Sequence, residues 1–204
     1  AKSGIIEKIT ASLADAGLEY QVFAEAVPEP AVEDIDRIAK ILRTSGADVV
    51  AAVGGGSPID TAKAVCMLMT HEGSCRDYLF GGSKTVTKPG MPLIAIPTTA
   101  GSGSEMTAAA VIADTQQNVK LSITSAYLIP KTAVIDPELQ TGMPPFITAT
   151  TGMDALTHAI ESYVSKRENP VADLFALKAI KLIAGSIRRA AADGNDIQAR
   201  ADMA

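Results

Sequence analysis

Tryptophan is absent from this 204-residue chain, histidine and cysteine occur twice each, and aromatic residues make up only 4% of the total. Two cysteines, Cys66 and Cys75, are too few for a disulfide-stapled scaffold, and their spacing matches no common zinc motif. They read as free thiols in a reducing compartment. No apolar run reaches the length of a bilayer span. Positive charge is not in excess: the formal net charge is −5, whereas phosphate-backbone binding needs clustered Lys and Arg. The stretch Ala1 to Thr10 reads as polar and helical, without the basic start and apolar core of a secretory signal. The expectation is a soluble, cytoplasmic protein with no membrane or nucleic-acid partner, acting on small molecules. With 47% hydrophobic and 20% charged residues, the composition is that of a globular protein, long enough for one large domain or one domain and part of a second.

Strand and helix signals alternate along the first two thirds. Gly4 to Ala16 has helical spacing stopped by Gly17, and Glu19 to Phe23 is a short extended run. Val32 to Thr44 puts Ile35, Ile38, Ala39 and Leu42 on one helix face, and Asp48 to Val53 reads as a buried strand. A glycine turn, a helix reaching Met69, and an apolar strand from Pro92 to Pro97 follow. Such alternation predicts a parallel sheet with helices on both faces. Ala108 to Ala113 and Val119 to Ile123 flank a polar turn and read as a hairpin, and Thr132 to Ile135 as a short strand. From Ile147 to Val164, from Val171 to Ala191 and in the tail from Asn195 the pattern is helical throughout. The fold class expected is α/β: a parallel-sheet dinucleotide-binding domain over residues 1–141, then the start of an all-helical domain over residues 142–204.

Gly54-Gly55-Gly56-Ser57-Pro58 joins a strand to a helix, with Pro58 in the first helical turn. Glycines let the backbone approach a ligand closely, and the free amides and dipole of a helix start favour a phosphate pair, so a dinucleotide pyrophosphate fits this turn. Without that context a glycine triplet is more often a simple turn. Asp60 and Lys63 lie three apart on the helix. They form an intrahelical ion pair, or Asp60 orients the loop while Lys63 adds positive potential near the cofactor.

A second loop, Pro97 to Glu105, is rich in small and hydroxyl residues and follows a parallel strand, where α/β sheets bind ligands. Thr98, Thr99 and Ser102 can donate to phosphate or ribose, although such residues also serve as ordinary turn and cap residues. Asp154 and His158 share one helix face a turn apart; the spacing is more often that of a surface hydrogen-bonded pair, and it also suits two ligands of a metal. His71, in a polar segment, reads as exposed.

Four ordered motifs, Gly54 to Lys63, Pro97 to Glu105, Asp136 to Leu139 and Gly152 to Glu161, resemble the signatures of the iron-containing (group III) alcohol dehydrogenases, nearest the lactaldehyde reductase and 1,3-propanediol dehydrogenase type. The resemblance covers nearly the whole chain. It implies a dehydroquinate synthase-like fold, a dinucleotide-binding domain followed by a helical one, and a homodimer. Gly55, Gly56 and Ser57 would cradle the pyrophosphate, with Asp60 on the helix that follows them. Thr98, Thr99 and Ser102 would line the cofactor, Lys120 would reach its ribose, and Val111 and Leu139 would pack near the nicotinamide. Asp154 and His158 match the first two of four metal ligands. The resemblance places the other two, both histidines, beyond Ala204, and a first strand with a ribose-binding aspartate before Ala1. Where the family often has Pro-Asn-Pro, this chain has Pro28-Glu29-Pro30.

The activity so implied moves hydride between NAD or NADP and a small primary alcohol, diol or aldehyde, with Fe²⁺ or Zn²⁺ polarising the alcohol oxygen. No acid–base residue is assigned. Competing readings are a glycerol dehydrogenase or dehydroquinate-synthase-like relative on the same fold, and a fragment that binds nucleotide without catalysing.

Overall fold

The computed structural model describes residues 4–204; the helical reading of Ala1–Ser3 lies outside the described residues. The chain forms two compact units, one of residues up to Pro97 together with Ser104–Val134, the other of Thr98–Gly103 and Ile135–Ala204.

The first unit is built around α3 (Gly56–Leu68), in which Ile59 and every residue from Thr61 to Leu68 are buried. A helix covered on most sides has no solvated polar stripe, so its second half, Ala64 to Leu68, is apolar throughout and its buried Lys63 needs partners of its own. On one side it covers a parallel sheet of order β1–β2–β5, where β1 is Val50–Gly54, β2 Leu93–Pro97 and β5 Thr132–Ala133. Ala52, Leu93 and Ala95 from the sheet pack with Ile59, Ala62 and Cys66 from the helix. Its other side meets α2 (Val32–Ser45) through a core that joins Val32, Ile35, Ile38 and Ala39 to Ala64, Val65, Met67 and Leu68. The same core takes in Ala110, Ile112 and Ile123 of an antiparallel hairpin, β3 (Ala109–Asp114) and β4 (Val119–Thr124). The apolar face expected of α2 is therefore the face it buries, with Leu42 partly buried at its end.

Three expectations change. The extended run Glu19 to Phe23 pairs with no strand among the described residues and is exposed. Among the described residues, helices do not cover both sheet faces: α1 (Ile5–Asp15) buries none of its residues, and Ala51 of β1 stays exposed. A strand is stable only against a neighbour, and with no partner for 19–23 nothing draws α1 onto the sheet. His71 is buried rather than exposed, with 7% of its surface accessible. Its Nδ1 lies 3.1 Å from the Met67 carbonyl, and its Nε2 accepts the Thr87 amide at 3.0 Å. Two backbone groups thus replace the water that a buried imidazole would lose, and the Thr87 bond requires a lone pair on Nε2, which puts the ring proton on Nδ1. Cys66 and Cys75 are free and buried, and burial pushes both thiols up to about 12.

The second unit is helical. α4 (Pro145–Tyr163) and α5 (Pro170–Ala192) pack along each other, and α6 (Ile197–Met203) lies on α5. Gly152 lets α4 and α5 approach, since a Cβ there would stand 2.8 Å from Ile187 Cδ1 and 2.9 Å from Met203 Cε. Arg200, 1% exposed, donates to Thr148 Oγ1 at 2.8 Å, to the Gly194 carbonyl at 3.0 Å and to the Met143 carbonyl at 3.4 Å. One guanidinium thus ties the start of α4 to the turn before α6. Among the described residues, no helix is long and apolar enough to cross a membrane.

Candidate functional site

β1 and β2 run parallel with Gly54 aligned to Pro97, so the glycine turn and the second loop both leave the carboxyl ends of adjacent strands, the end at which open α/β sheets bind ligands. Gly54 has φ +151°, and a Cβ on it would stand 2.7 Å from Pro58 Cγ. Only glycine can bring the strand round so sharply onto the helix. The chain then enters α3 at Gly56 with Gly55 as N-cap, no side-chain cap and no acid in the first turn. Amides at a helix start that no side chain satisfies, at the positive end of the dipole, suit an anion with several acceptor oxygens. The turn fits a pyrophosphate.

Around α3 the first unit gathers four more of the expected residues or their neighbours. Lys63 forms the expected intrahelical ion pair with Asp60, a loose one at 3.9 Å, and Asp60 is engaged elsewhere as well. Its carboxylate accepts Ser104 Oγ–H through Oδ1 and the Val111 amide through Oδ2, the latter at 2.9 Å. Lys63, its side chain fully buried, donates to Thr107 O, Thr107 Oγ1 and Ala109 O, each at 2.9 Å. Burial pulls the ammonium down to about 8, opposed by the carboxylates of Asp60 and Glu105. Asp60 and Lys63 together therefore clamp the segment from Ser104 to Val111 onto the helix that carries the glycine turn. Val111 itself is 46% exposed. Lys120 is exposed and pairs with Glu29 at 2.5 Å. Ser104 and Thr107, which complete the clamp, carry no local signal beyond that of ordinary polar loop residues.

In the second unit, the loop Thr98–Gly103 lies on α4: a Cβ on Gly101 would stand 2.8 Å from both the Cβ and the carbonyl of Thr151. Ala100 is buried with Ala159, Ile183 and Met203. Thr98 and Thr99 are half-buried and Ser102 is exposed. Leu139, in a 3₁₀ turn at Pro137–Gln140, is buried. One turn beyond Thr151, Asp154 Oδ1 and His158 Nε2 face each other at 3.5 Å, both side chains about half exposed. A carboxylate and an imidazole so placed suit a divalent ion of the iron or zinc kind. They make two donors, and among the described residues no group of three or more His, Cys, Asp or Glu could close a metal shell.

The family model for iron-containing alcohol dehydrogenase matches residues 1–137, and that for the C-terminal region of the Fe-containing alcohol dehydrogenase family matches residues 148–204. The chain is 43% identical to long-chain-alcohol dehydrogenase 1 of Geobacillus thermodenitrificans over 204 residues, all of this chain and 51% of that protein. To the NAD-dependent methanol dehydrogenase of Bacillus methanolicus it is 41% identical over 202 residues, 99% of this chain and 52% of the other. The crystal structure of a 1,3-propanediol oxidoreductase superposes with a TM-score of 0.93 at 40% identity, over 99% of this chain and 52% of that one. The chain thus spans about half the length of the relatives it matches. By sequence and by fold, it belongs to the iron-containing alcohol dehydrogenase family.

Proposed function

We propose that this chain supplies the cofactor-binding part and half of the metal ligands of a dehydrogenase that moves hydride between NAD(P) and a small primary alcohol, diol or aldehyde. The observation that carries the reading is the uncapped helix start behind a strand end that only glycine can form, at Gly54 to Ser57. In this reading Gly55, Gly56 and Ser57 hold the pyrophosphate, Thr98, Thr99 and Ser102 line the cofactor, and Lys120 meets its ribose. Val111 and Leu139 would pack near the nicotinamide. Asp60 serves by orientation, since its carboxylate is already engaged by Ser104 and Val111. Asp154 and His158 would hold the metal, Fe²⁺ or Zn²⁺. When bound, that ion supplies Lewis-acid polarisation of the substrate oxygen. NAD is favoured over NADP because the methanol dehydrogenase relative is NAD-dependent.

A division into a dinucleotide-binding domain of residues 1–141 and the beginning of a metal-binding domain at 142–204 is supported by the two family matches. A dehydroquinate synthase-like fold is part of the same reading. Homodimer formation is supported by apolar side chains left exposed in the helical unit, among them Phe146, Val164, Val171, Leu174 and Phe175. The two buried free thiols accord with a cytoplasmic setting. A chain that binds nucleotide without catalysing is the second reading, favoured by the two-donor metal pair.

Formation of reduced nicotinamide from NAD⁺ and propane-1,3-diol with added Fe²⁺ tests the dehydrogenase, and calorimetric titration with NAD⁺ tests the binding site. Saturable NAD⁺ binding without turnover selects the second reading. Absence of binding discards both.

A further inference from the structure

Glu29 is far from the glycine turn in sequence, yet the fold brings it there. Pro30 accepts the Ala113 amide at 2.9 Å, and Ala31 bridges to Ala113 in parallel. Ala113 is in turn the register partner of Lys120 across the hairpin. The segment is thereby fixed beside β3, with the Glu29 carboxylate against Lys120 Nζ at 2.5 Å. The backbone of Glu29 meets the turn itself, its amide donating to Ser57 Oγ at 3.4 Å. Its φ is +56°, a left-handed conformation that Asn and Gly adopt far more readily than Glu. The backbone of Glu29 thus abuts the helix start read as the anion site, while its carboxylate holds the cation that the cofactor would use.

Resting on the reading of Gly55 to Ser57 and Lys120 as dinucleotide contacts, we propose that Glu29 is a built-in competitor of the cofactor. Its carboxylate neutralises Lys120 before the dinucleotide arrives, has to release it on binding, and repels the incoming pyrophosphate. Glu29 thereby weakens dinucleotide binding and speeds release. Both partners are more than half exposed, at 56% for Lys120 and 66% for Glu29, so solvent screens the pair and the effect is several-fold rather than orders of magnitude.

The experiment is an equilibrium titration of NADH, followed by its own fluorescence, against the chain and its Glu29→Gln, Lys120→Met and doubly substituted forms. Gln keeps the size and the backbone requirement of Glu and removes only the charge. Glu29→Gln is expected to lower the NADH Kd by roughly twofold to fivefold. In the Lys120→Met background the same change should have a smaller effect, because no cation remains to be freed. An unchanged or higher Kd for Glu29→Gln overturns the proposal, as does an equal gain in both backgrounds. If no form, including the parent, binds NADH, the nucleotide-site reading falls and the competitor role falls with it. Equal binding by the parent and Glu29→Gln removes the competitor role alone.

Discussion

The Asp60 carboxylate accepts the backbone amide of Val111 at 2.9 Å across 51 residues of sequence, tying the helix behind the glycine turn to the strand that starts the hairpin. The same carboxylate accepts the Ser104 hydroxyl. Asp60→Ala would leave both donors without their acceptor, Ser104 at a buried place and Val111 at a half-exposed one, a loss of about 1–2 kcal/mol. Urea unfolding should show it as a lower midpoint with an unchanged slope. The cofactor Kd should rise as well, since the displaced segment carries Val111. A variant that unfolds at the parent midpoint would show that the two bonds are not needed to hold the clamp.

Lys63 gives the clamp a pH dependence. Folded, burial lowers its ammonium to about 8, against an ordinary value of 10.5. Between these two values the unfolded chain holds more protons than the folded one, so the Lys63 contribution to stability rises with pH through that window and is flat below it. The full rise is about 3 kcal/mol. Cys66 and Cys75, raised from 9.0 to about 12, act in the opposite sense: above pH 9 the unfolded chain loses thiol protons that the folded chain retains. The difference between the parent and Lys63→Met isolates the lysine. Denaturant midpoints of the two proteins, compared from pH 7 to about 9, should show stability rising with pH more steeply in the parent than in the variant. Parallel profiles would mean that Lys63 does not titrate in that range.

What could be read from the residues alone was what depends on neighbours in the chain. The apolar face of α2, the glycine turn, the hairpin around Asp114 to Asn118, and α4 and α5 all follow from local period and turn chemistry. What could not be read depends on partners remote in sequence. The acceptors of Lys63 lie 44 and 46 residues away, so its spacing from Asp60 showed the helical ion pair but not these bonds. Thr87, which satisfies His71, is 16 residues downstream, and the polar residues beside the histidine pointed to solvent. The run at 19–23 has strand-like residues, but a strand is a property of a pair. Among the candidate residues the glycine turn and the Asp154–His158 spacing were visible, whereas the engagement of Asp60 by Ser104 and of Lys120 by Glu29 was not.

Gly152 sits two residues before Asp154 on α4, and its missing side chain sets how closely α5 packs. Alanine there would improve helix propensity by about 1 kcal/mol, but its Cβ would stand 2.8 Å from Ile187 Cδ1, and overpacking of a closed interface costs about 1–3 kcal/mol. Gly152→Ala should lower Tm, and Ile187→Ala added to it should cost less than Ile187→Ala alone, because the new methyl fills part of the space left. Simple additivity of the two changes would place Gly152 outside the contact.

Asp154 and His158 face each other at 3.5 Å, with no third donor among the described residues. Two donors bind a divalent ion weakly, and removing either leaves one, so His158→Ala should reduce Zn²⁺ affinity by at least about tenfold and Asp154→Ala likewise. Both side chains are about half exposed, so neither change should move Tm in the absence of metal by more than a degree or so. That separation is what identifies a ligand pair: a surface hydrogen bond between the two would give the same small Tm change with no difference in metal uptake. Isothermal titration with Zn²⁺ under identical buffer decides it, and equal uptake by the parent and the double Ala variant would remove Asp154 and His158 from the metal site of this chain.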